Sequence, residues 1–205
     1  MGKFIVIEGL DGSGKGTQIE RLAQSLAERG VKVQTTAEPT DGYIGKYLRE
    51  MLANSDNKDM CLQASLFLAD RLDHITNPET GIKQLLDEDF TVISDRYYYS
   101  SFAYQGTAAD MDWVMNMNLN ASSMLTPDLC IFFDLDPKLC KDRIITGRGN
   151  LELYEKDVDI MGQIRDNFHN VFAKLPDNVK IINANRDVDE IANEVLDIVM
   201  KELNK

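Results

Sequence analysis

The chain has 205 residues, 43% of them hydrophobic, enough to bury one substantial core, and the length favours one domain with room for a mobile insertion. Lys and Arg number 22 against 34 Asp and Glu, a formal net charge of −12, so most of the surface repels polyanions, anion recognition is confined to local pockets and nucleic acid is not an expected partner. The opening MGKFIVIEGL carries too short an apolar run for a signal peptide or a membrane span, and Cys61, Cys130 and Cys140, odd in number and without metal-ligand spacing, are those of a cytoplasmic protein with free or buried thiols.

Phe4 to Ile7 reads as a first buried strand. Ile19, Leu22, Ala23 and Leu26 then recur at helical spacing until Gly30 ends the helix, and Val31 to Thr36 restarts a strand. The loop AEPTDGY leads into a helix near Ile44 to Leu52 and a longer one near Met60 to Ile75, which Pro78 stops, and a further helical stretch reaches Leu86. Phe90 to Ser94 and Leu129 to Leu135 are buried strands, Asp136-Pro137 starts a helix, and Val179 to Ile182 is the fifth strand. Asp187 with Glu190 has the spacing of a capping box before a closing amphipathic helix through Ile191, Val195, Ile198 and Val199. Strands buried on both faces and alternating with helices make a five-stranded parallel sheet covered by helices, an α/β fold whose ligands gather at the carboxyl ends of the strands.

Gly9 through Lys15 fits G-x-x-x-x-G-K between a strand and a helix, and the phosphate loop extends over Gly9, Leu10, Asp11, Gly12, Ser13, Gly14, Lys15, Gly16 and Thr17. Glycines let successive N–H groups curve around phosphate oxygens, and Lys15 supplies a point charge toward the β- and γ-phosphates of ATP. Gly16 removes the hydroxyl that many such loops place on Mg²⁺, leaving the metal to nucleotide phosphates, water, Thr17 and carboxylates elsewhere. The GKGT sequence is similar to that of nucleoside monophosphate kinases rather than of regulatory GTPases, and no N-K-x-D guanine signature is present.

SDRYYYSSFAYQ, Ser94 to Gln105, follows a buried strand and so reaches the same edge. Asp95 is placed to organise Mg²⁺, and Arg96, planar and multiply donating, to clamp a second phosphate, while at least two of Tyr97 to Tyr99 suit core packing. His74 and His169 are isolated and read as satisfied or solvated side chains.

Together these motifs resemble the thymidylate kinase family over nearly the whole chain: the loop with its acidic Asp11, Glu38-Pro39, F-x-A-D-R at Phe67 to Arg71, D-R-Y-x-x-S-x-x-A-Y-Q at Asp95 to Gln105, and R-G-x-x-x-x-Y-E at Arg148 to Glu155. The resemblance implies a single-domain, three-layer P-loop kinase fold with a small mobile lid over about 147 to 155, and Mg²⁺-dependent transfer of phosphate from ATP to dTMP; Thr17 and Asp95 remain the metal candidates read from the residues. It implies that Asp11 accepts from the deoxyribose 3′-OH, Phe67 stacks on thymine, Arg71 donates to O4, and Ser101 and Gln105 face the base edge. It also implies that Tyr104 lies under the sugar at the 2′ carbon and that Glu38, Arg49, Tyr154 and Glu155 complete the substrate set. Gly12 stands where some relatives carry arginine, so the catalytic arginine comes from the lid, with Arg148 first and Arg143 second. Ala37, where many bacterial relatives have arginine, removes one expected contact, and a homodimer through helices near 43 to 75 and 110 to 122 is also implied.

A deoxynucleoside kinase would need a carboxylate base beside the 5′ carbon, for which Glu8 or Glu38 is available. An adenylate kinase shares GKGT but gives no reason for the Phe67 to Arg71 and D-R-Y motifs, and an ATP-binding switch module would not turn over ATP when dTMP is added.

Overall fold

A computed structural model describes residues 2–53, 59–121 and 123–205. Its sheet has five parallel strands in the order β2-β3-β1-β4-β5, formed by β1 (Phe4–Gly9), β2 (Val33–Ala37), β3 (Thr91–Asp95), β4 (Leu129–Asp134) and β5 (Val179–Asn183). The three central strands are almost wholly buried, the polar Glu8, Thr91 and Ser94 included, whereas the edge strands β2 and β5 expose most of their residues. That difference follows from position, because a central strand is covered on both faces and along both edges.

Helices α1 (Lys15–Ala27) and α9 (Val188–Leu203) pack together over the sheet. The Asp187 carboxylate starts α9, accepting from the N–H groups of Asp189 and Glu190. Between β2 and β3 run α2 (Tyr43–Ala53), α3 (Met60–Thr76) and α4 (Ile82–Asp87), with Asp59 capping α3 and Asn77 closing it one residue before Pro78. Between β3 and β4 run α5 (Tyr98–Gln105) and α6 (Met111–Leu119), and α5 packs on α3, α6 and β1.

The chain then passes from α7 (Pro137–Gly147), capped by Asp136, through a short 3₁₀ turn at Leu153–Glu155 into α8 (Val158–Lys174). Helix α8 has no counterpart among the elements expected from the sequence, yet it is one of the pillars of the core. Met161, Ile164, Phe168 and Val171 are buried along one stripe, and Phe168 packs against Phe132 with ring centroids 4.9 Å apart.

Register decides what meets at the functional edge. Ile7 pairs with Asp95, Gly9 with Phe133, and Ala37 with Asp95, so the phosphate loop, the Asp95-Arg96 segment and Glu38 all leave the sheet side by side.

Candidate active site

The phosphate loop is built by glycine geometry. Gly9, Gly12 and Gly14 have φ of +148°, +82° and +98°, and a Cβ on Gly12 would lie 2.4 Å from the backbone oxygen of Cys140 in α7. No larger residue fits there without moving α7, so no arginine can stand at this point of the loop. Gly14 and Gly16 have nothing within 4 Å of an added Cβ, and Gly14 caps α1 in left-handed conformation without a side-chain bond. The start of α1 thus has no side-chain cap, and its first N–H groups are left for a ligand, the arrangement that receives a phosphate.

Lys15 is buried and donates to the carbonyls of Gly9 (3.0 Å) and Leu10 (3.1 Å). Burial pushes its pKa down, and the neighbouring Arg96 charge adds to this. Ser13 Oγ is buried and unpartnered inside the same loop, Thr17 is exposed one residue beyond Gly16, and the buried Oδ1 of Asp95 also lacks a partner. A hydroxyl, a free carboxylate oxygen and open loop N–H groups suit a phosphate with its magnesium ion.

Arg96 has φ +73°, in the left-handed region where a side chain is strained. Its N–H is tied to Ile7 O (2.9 Å), and its guanidinium donates to Asp11 Oδ1 (2.6 Å) and Ser100 Oγ (3.1 Å) while lying 5.0 Å over the Tyr104 ring. Asp11 Oδ1 is also 3.7 Å from Lys15 Nζ. Burial would raise the Asp11 carboxyl, but Arg96 and then Lys15 outweigh it and hold the pKa at about 2.

Beside this cluster lies a cavity of about 300 Å³, sized for a small ligand. Asp11, Arg96 and Arg148 line it together with Phe67, Arg71, Ser101, Glu38, Tyr104, Gln105 and Tyr154. Arg71 is 1% exposed. Its Nε and Nη2 straddle Glu38 Oε2 (2.8 and 2.6 Å), Nη2 also donates to Ser101 Oγ (3.1 Å) and Nη1 to Asn118 Oδ1 (2.6 Å). An Nη1 hydrogen is left without a protein acceptor among the described residues, pointing to a carbonyl as its natural partner. Glu38 is held on its other oxygen by His74 Nδ1 (3.1 Å), whose Nε2 meets Thr36 Oγ1 (2.7 Å). His74 is thus a satisfied core histidine. Tyr98 and Tyr99 both donate to Asp177 Oδ2 (2.6 Å) and belong to the core, whereas Tyr97 faces the cavity under Arg71.

The lid segment closes one side. Arg148 donates to Glu152 Oε1 (2.9 Å) and to Glu155, and Tyr154 Oη donates to Gln63 Oε1 on α3 (2.8 Å). Arg143 instead points toward Ala184 O beyond β5 (3.4 Å). Two expected substrate residues stand off the cavity wall: Glu155 holds Arg148 and the N–H of Glu152, and Arg49 donates to Pro39 O, Thr40 O and Asp41, on the rim of a neighbouring cavity of about 870 Å³ between α1, β2 and α3.

Sequence reasoning missed Ser100 and Asn118, and considered Glu8 only as a base. Glu8 and Ser100 connect to Arg96, and Ser100 is the serine of the quoted D-R-Y-x-x-S motif, so the signal was present. Asn118 reaches Arg71 from α6, 47 positions away, and only the fold reveals it.

A parallel sheet with a phosphate loop after β1, an arginine just past the end of β3 and a cavity beside them is the architecture of a P-loop kinase. A profile of the thymidylate kinase family matches residues 7–195. The chain is 36% identical to a probable thymidylate kinase of Pyrococcus horikoshii, over 98% of both chains. It is 32% identical to a thymidylate kinase of an Exiguobacterium species, over 100% of this chain and 97% of that one, and 31% identical to that of Mycoplasma capricolum, over 98% and 96%. This chain belongs to the thymidylate kinase family.

Proposed function

We propose that this chain transfers the γ-phosphoryl group of ATP to dTMP, giving dTDP and ADP, with the two nucleotides meeting between Lys15 and Arg96. One observation carries the reading: Arg96 and Lys15 lie 2.6 and 3.7 Å from the same Asp11 oxygen. The donor-side cation and the acceptor-side cation thus converge on a single point.

The acceptor phosphate has a second pKa near ~6 and is mostly dianionic at neutral pH, so its oxygen attacks without a general base. Lys15, Arg96 and Arg148 align the phosphates and stabilise charge shifting toward ADP. Thr17 and Asp95 would hold Mg²⁺, which when bound neutralises phosphate charge. In the acceptor pocket Phe67 stacks on the base, Arg71 donates to O4, Ser101 and Gln105 face the base edge, and Tyr104 packs under the sugar. Asp11 accepts from the 3′-OH once the acceptor phosphate has taken over Arg96.

Neither carboxylate offered to the deoxynucleoside-kinase alternative is placed to act as its base. Glu8 is wholly buried and committed to Tyr97 N, Ser100 N and Ser100 Oγ, and Glu38 is committed to Arg71 and His74. ADP release with ATP and Mg²⁺ should therefore be fast with dTMP and negligible with thymidine. Comparable turnover of thymidine would overturn the assignment.

The protein acts as a homodimer in this reading. Tyr43 and Tyr47 on α2, Leu62 on α3 and Trp113 and Leu119 on α6 are large apolar side chains left exposed, Tyr43 by 95%, on neighbouring helices. Residues 54–58 and 122 of the expected surface lie outside the described residues. Cys61, Cys130 and Cys140 are free thiols, which suits a cytoplasmic setting, and among the described residues no helix is long and apolar enough to cross a membrane.

A further inference from the structure

Glu8 sits at the end of β1, immediately before the phosphate loop, and is 0% exposed. A carboxyl group so placed costs free energy unless every oxygen is answered, and here both are. Oε1 accepts from the backbone N–H of Tyr97 (2.9 Å) and of Ser100 (3.1 Å), the uncapped start of α5, and Oε2 accepts from Ser100 Oγ (2.7 Å). The same Ser100 oxygen accepts from Arg96 Nη1 (3.1 Å). Glu8 is thereby connected through one hydroxyl to the guanidinium that the proposed function places on the acceptor phosphate.

The backbone adds a second reason for a link. Arg96 occupies a left-handed φ of +73°, its N–H and the preceding Asp95 are bound to the β1 backbone, and the N–H of the following Tyr97 is bound by the Glu8 side chain. Such a turn persists only when its surroundings hold it. The Glu8 carboxylate holds the helix that follows, and by drawing the Ser100 proton toward itself it makes Oγ a stronger and better aimed acceptor for Arg96.

We propose that Glu8 is a positioning residue for acceptor phosphate binding, acting through Ser100 to orient Arg96. The proposal rests on Arg96 being the acceptor-phosphate clamp. It separates two roles that the wall of one pocket could confuse: Arg71 and Phe67 serve the base, whereas Glu8 and Ser100 serve only the phosphate.

Glu8→Gln keeps the shape and can still accept from the two N–H groups, but its amide would donate to Ser100 Oγ and the charge polarising that hydroxyl is gone. Ser100→Ala removes the relay itself. The test measures equilibrium affinity for dTMP and for thymidine, which lacks the phosphate, in the full chain and in Glu8→Gln, Ser100→Ala and the double variant. Work at pH 8 keeps the Glu8 carboxyl, which burial raises to about 7 against the opposing Arg96 charge and hydrogen bonds, mostly ionised. Each single variant should lose about tenfold in dTMP affinity while thymidine changes less than twofold, since a hydrogen bond to a charged group is worth roughly 1.5–3 kcal/mol. The double variant should be no worse than the weaker single.

Equal losses for both ligands, additive losses in the double variant, or dTMP affinity unchanged in a folded variant would each overturn the proposal. Should Glu8→Gln fail to fold, Ser100→Ala decides alone: a selective loss supports the relay and unchanged dTMP affinity sinks it. Native protein binding dTMP no better than thymidine would instead refute the underlying assignment of Arg96.

Discussion

Lys15 is a cation held out of water by two carbonyls, with its nearest carboxylate shared with Arg96. That arrangement leaves its charge available to an incoming phosphate. Lys15→Met keeps the unbranched stem and deletes the charge, and a preorganised contact worth roughly 3 kcal/mol or more in a closed site predicts at least about a hundredfold loss of turnover with dTMP binding retained. Steady-state kinetics beside dTMP titration checks this. Glu8 carries a pH signature of its own. Its carboxyl is raised from 4.5 to about 7 because burial outweighs the Arg96 charge and the hydrogen bonds, so between those values the folded state keeps a proton that the unfolded chain releases. Stability contributed by this group is therefore complete below pH 4.5 and falls as pH rises to about 7, by about 3 kcal/mol. Urea unfolding of the native chain should lose that much relative to Glu8→Gln across the window, and parallel curves would show that Glu8 titrates normally. At this scale the sequence was readable where geometry is local: the glycine spacing pointed to Lys15 directly. Glu8 was not readable as an organiser, because its partners lie 89 and 92 positions away.

Among the elements, the segment from α7 to α8 carries the most chemistry and was least legible. Gly147 to Glu155 was recognisable from its arginine, tyrosine and glutamate, but α8, with its buried stripe of Met161, Ile164, Phe168 and Val171, was not. Polar residues and Gly162 lie between its members, and its burial comes from packing against α5 and against Phe132 of β4 rather than from local propensity. The structure distinguishes the two candidate arginines by direction. Arg148 lines the acceptor cavity and is gathered there by Glu152 and Glu155, whereas Arg143 turns toward Ala184. Arg148→Ala should lower turnover at least tenfold with little effect on dTMP affinity, and Arg143→Ala should spare dTMP affinity while changing turnover much less. Equal small effects in steady-state kinetics would mean that neither arginine supplies the transition-state charge.

For the molecule as a whole, alternation of apolar runs and helical spacing was sufficient to infer a five-stranded parallel sheet, and the motifs reach the same edge because β1, β2 and β3 are neighbours in register. Strand order itself is not written in any local pattern. Nor is the network from Thr36 through His74 and Glu38 to Arg71 and Asn118, which draws on β2, α3 and α6 and exists only once those elements pack. A guanidinium has hydrogen-bond donors and no acceptor, and this network fixes where those donors point; therein lies the discrimination expected of the pocket. Thymine and uracil offer O4 to the free Nη1 hydrogen, while cytosine offers an amino donor. Burying two donors face to face costs about 1–3 kcal/mol or more, and losing the thymine methyl costs roughly 1–3 kcal/mol.

Relative kcat/KM for dTMP, dUMP and dCMP with saturating ATP and Mg²⁺, followed as ADP release, tests the base-and-phosphate pocket most directly. The account predicts dTMP first, dUMP poor but measurable, and dCMP last by at least tenfold against dTMP, with Arg71→Ala narrowing that gap mainly by damaging dTMP. If dCMP outperformed dUMP in the intact protein, Arg71 would not read O4, and the placement of the acceptor between Phe67, Arg71 and Arg96 would be contradicted.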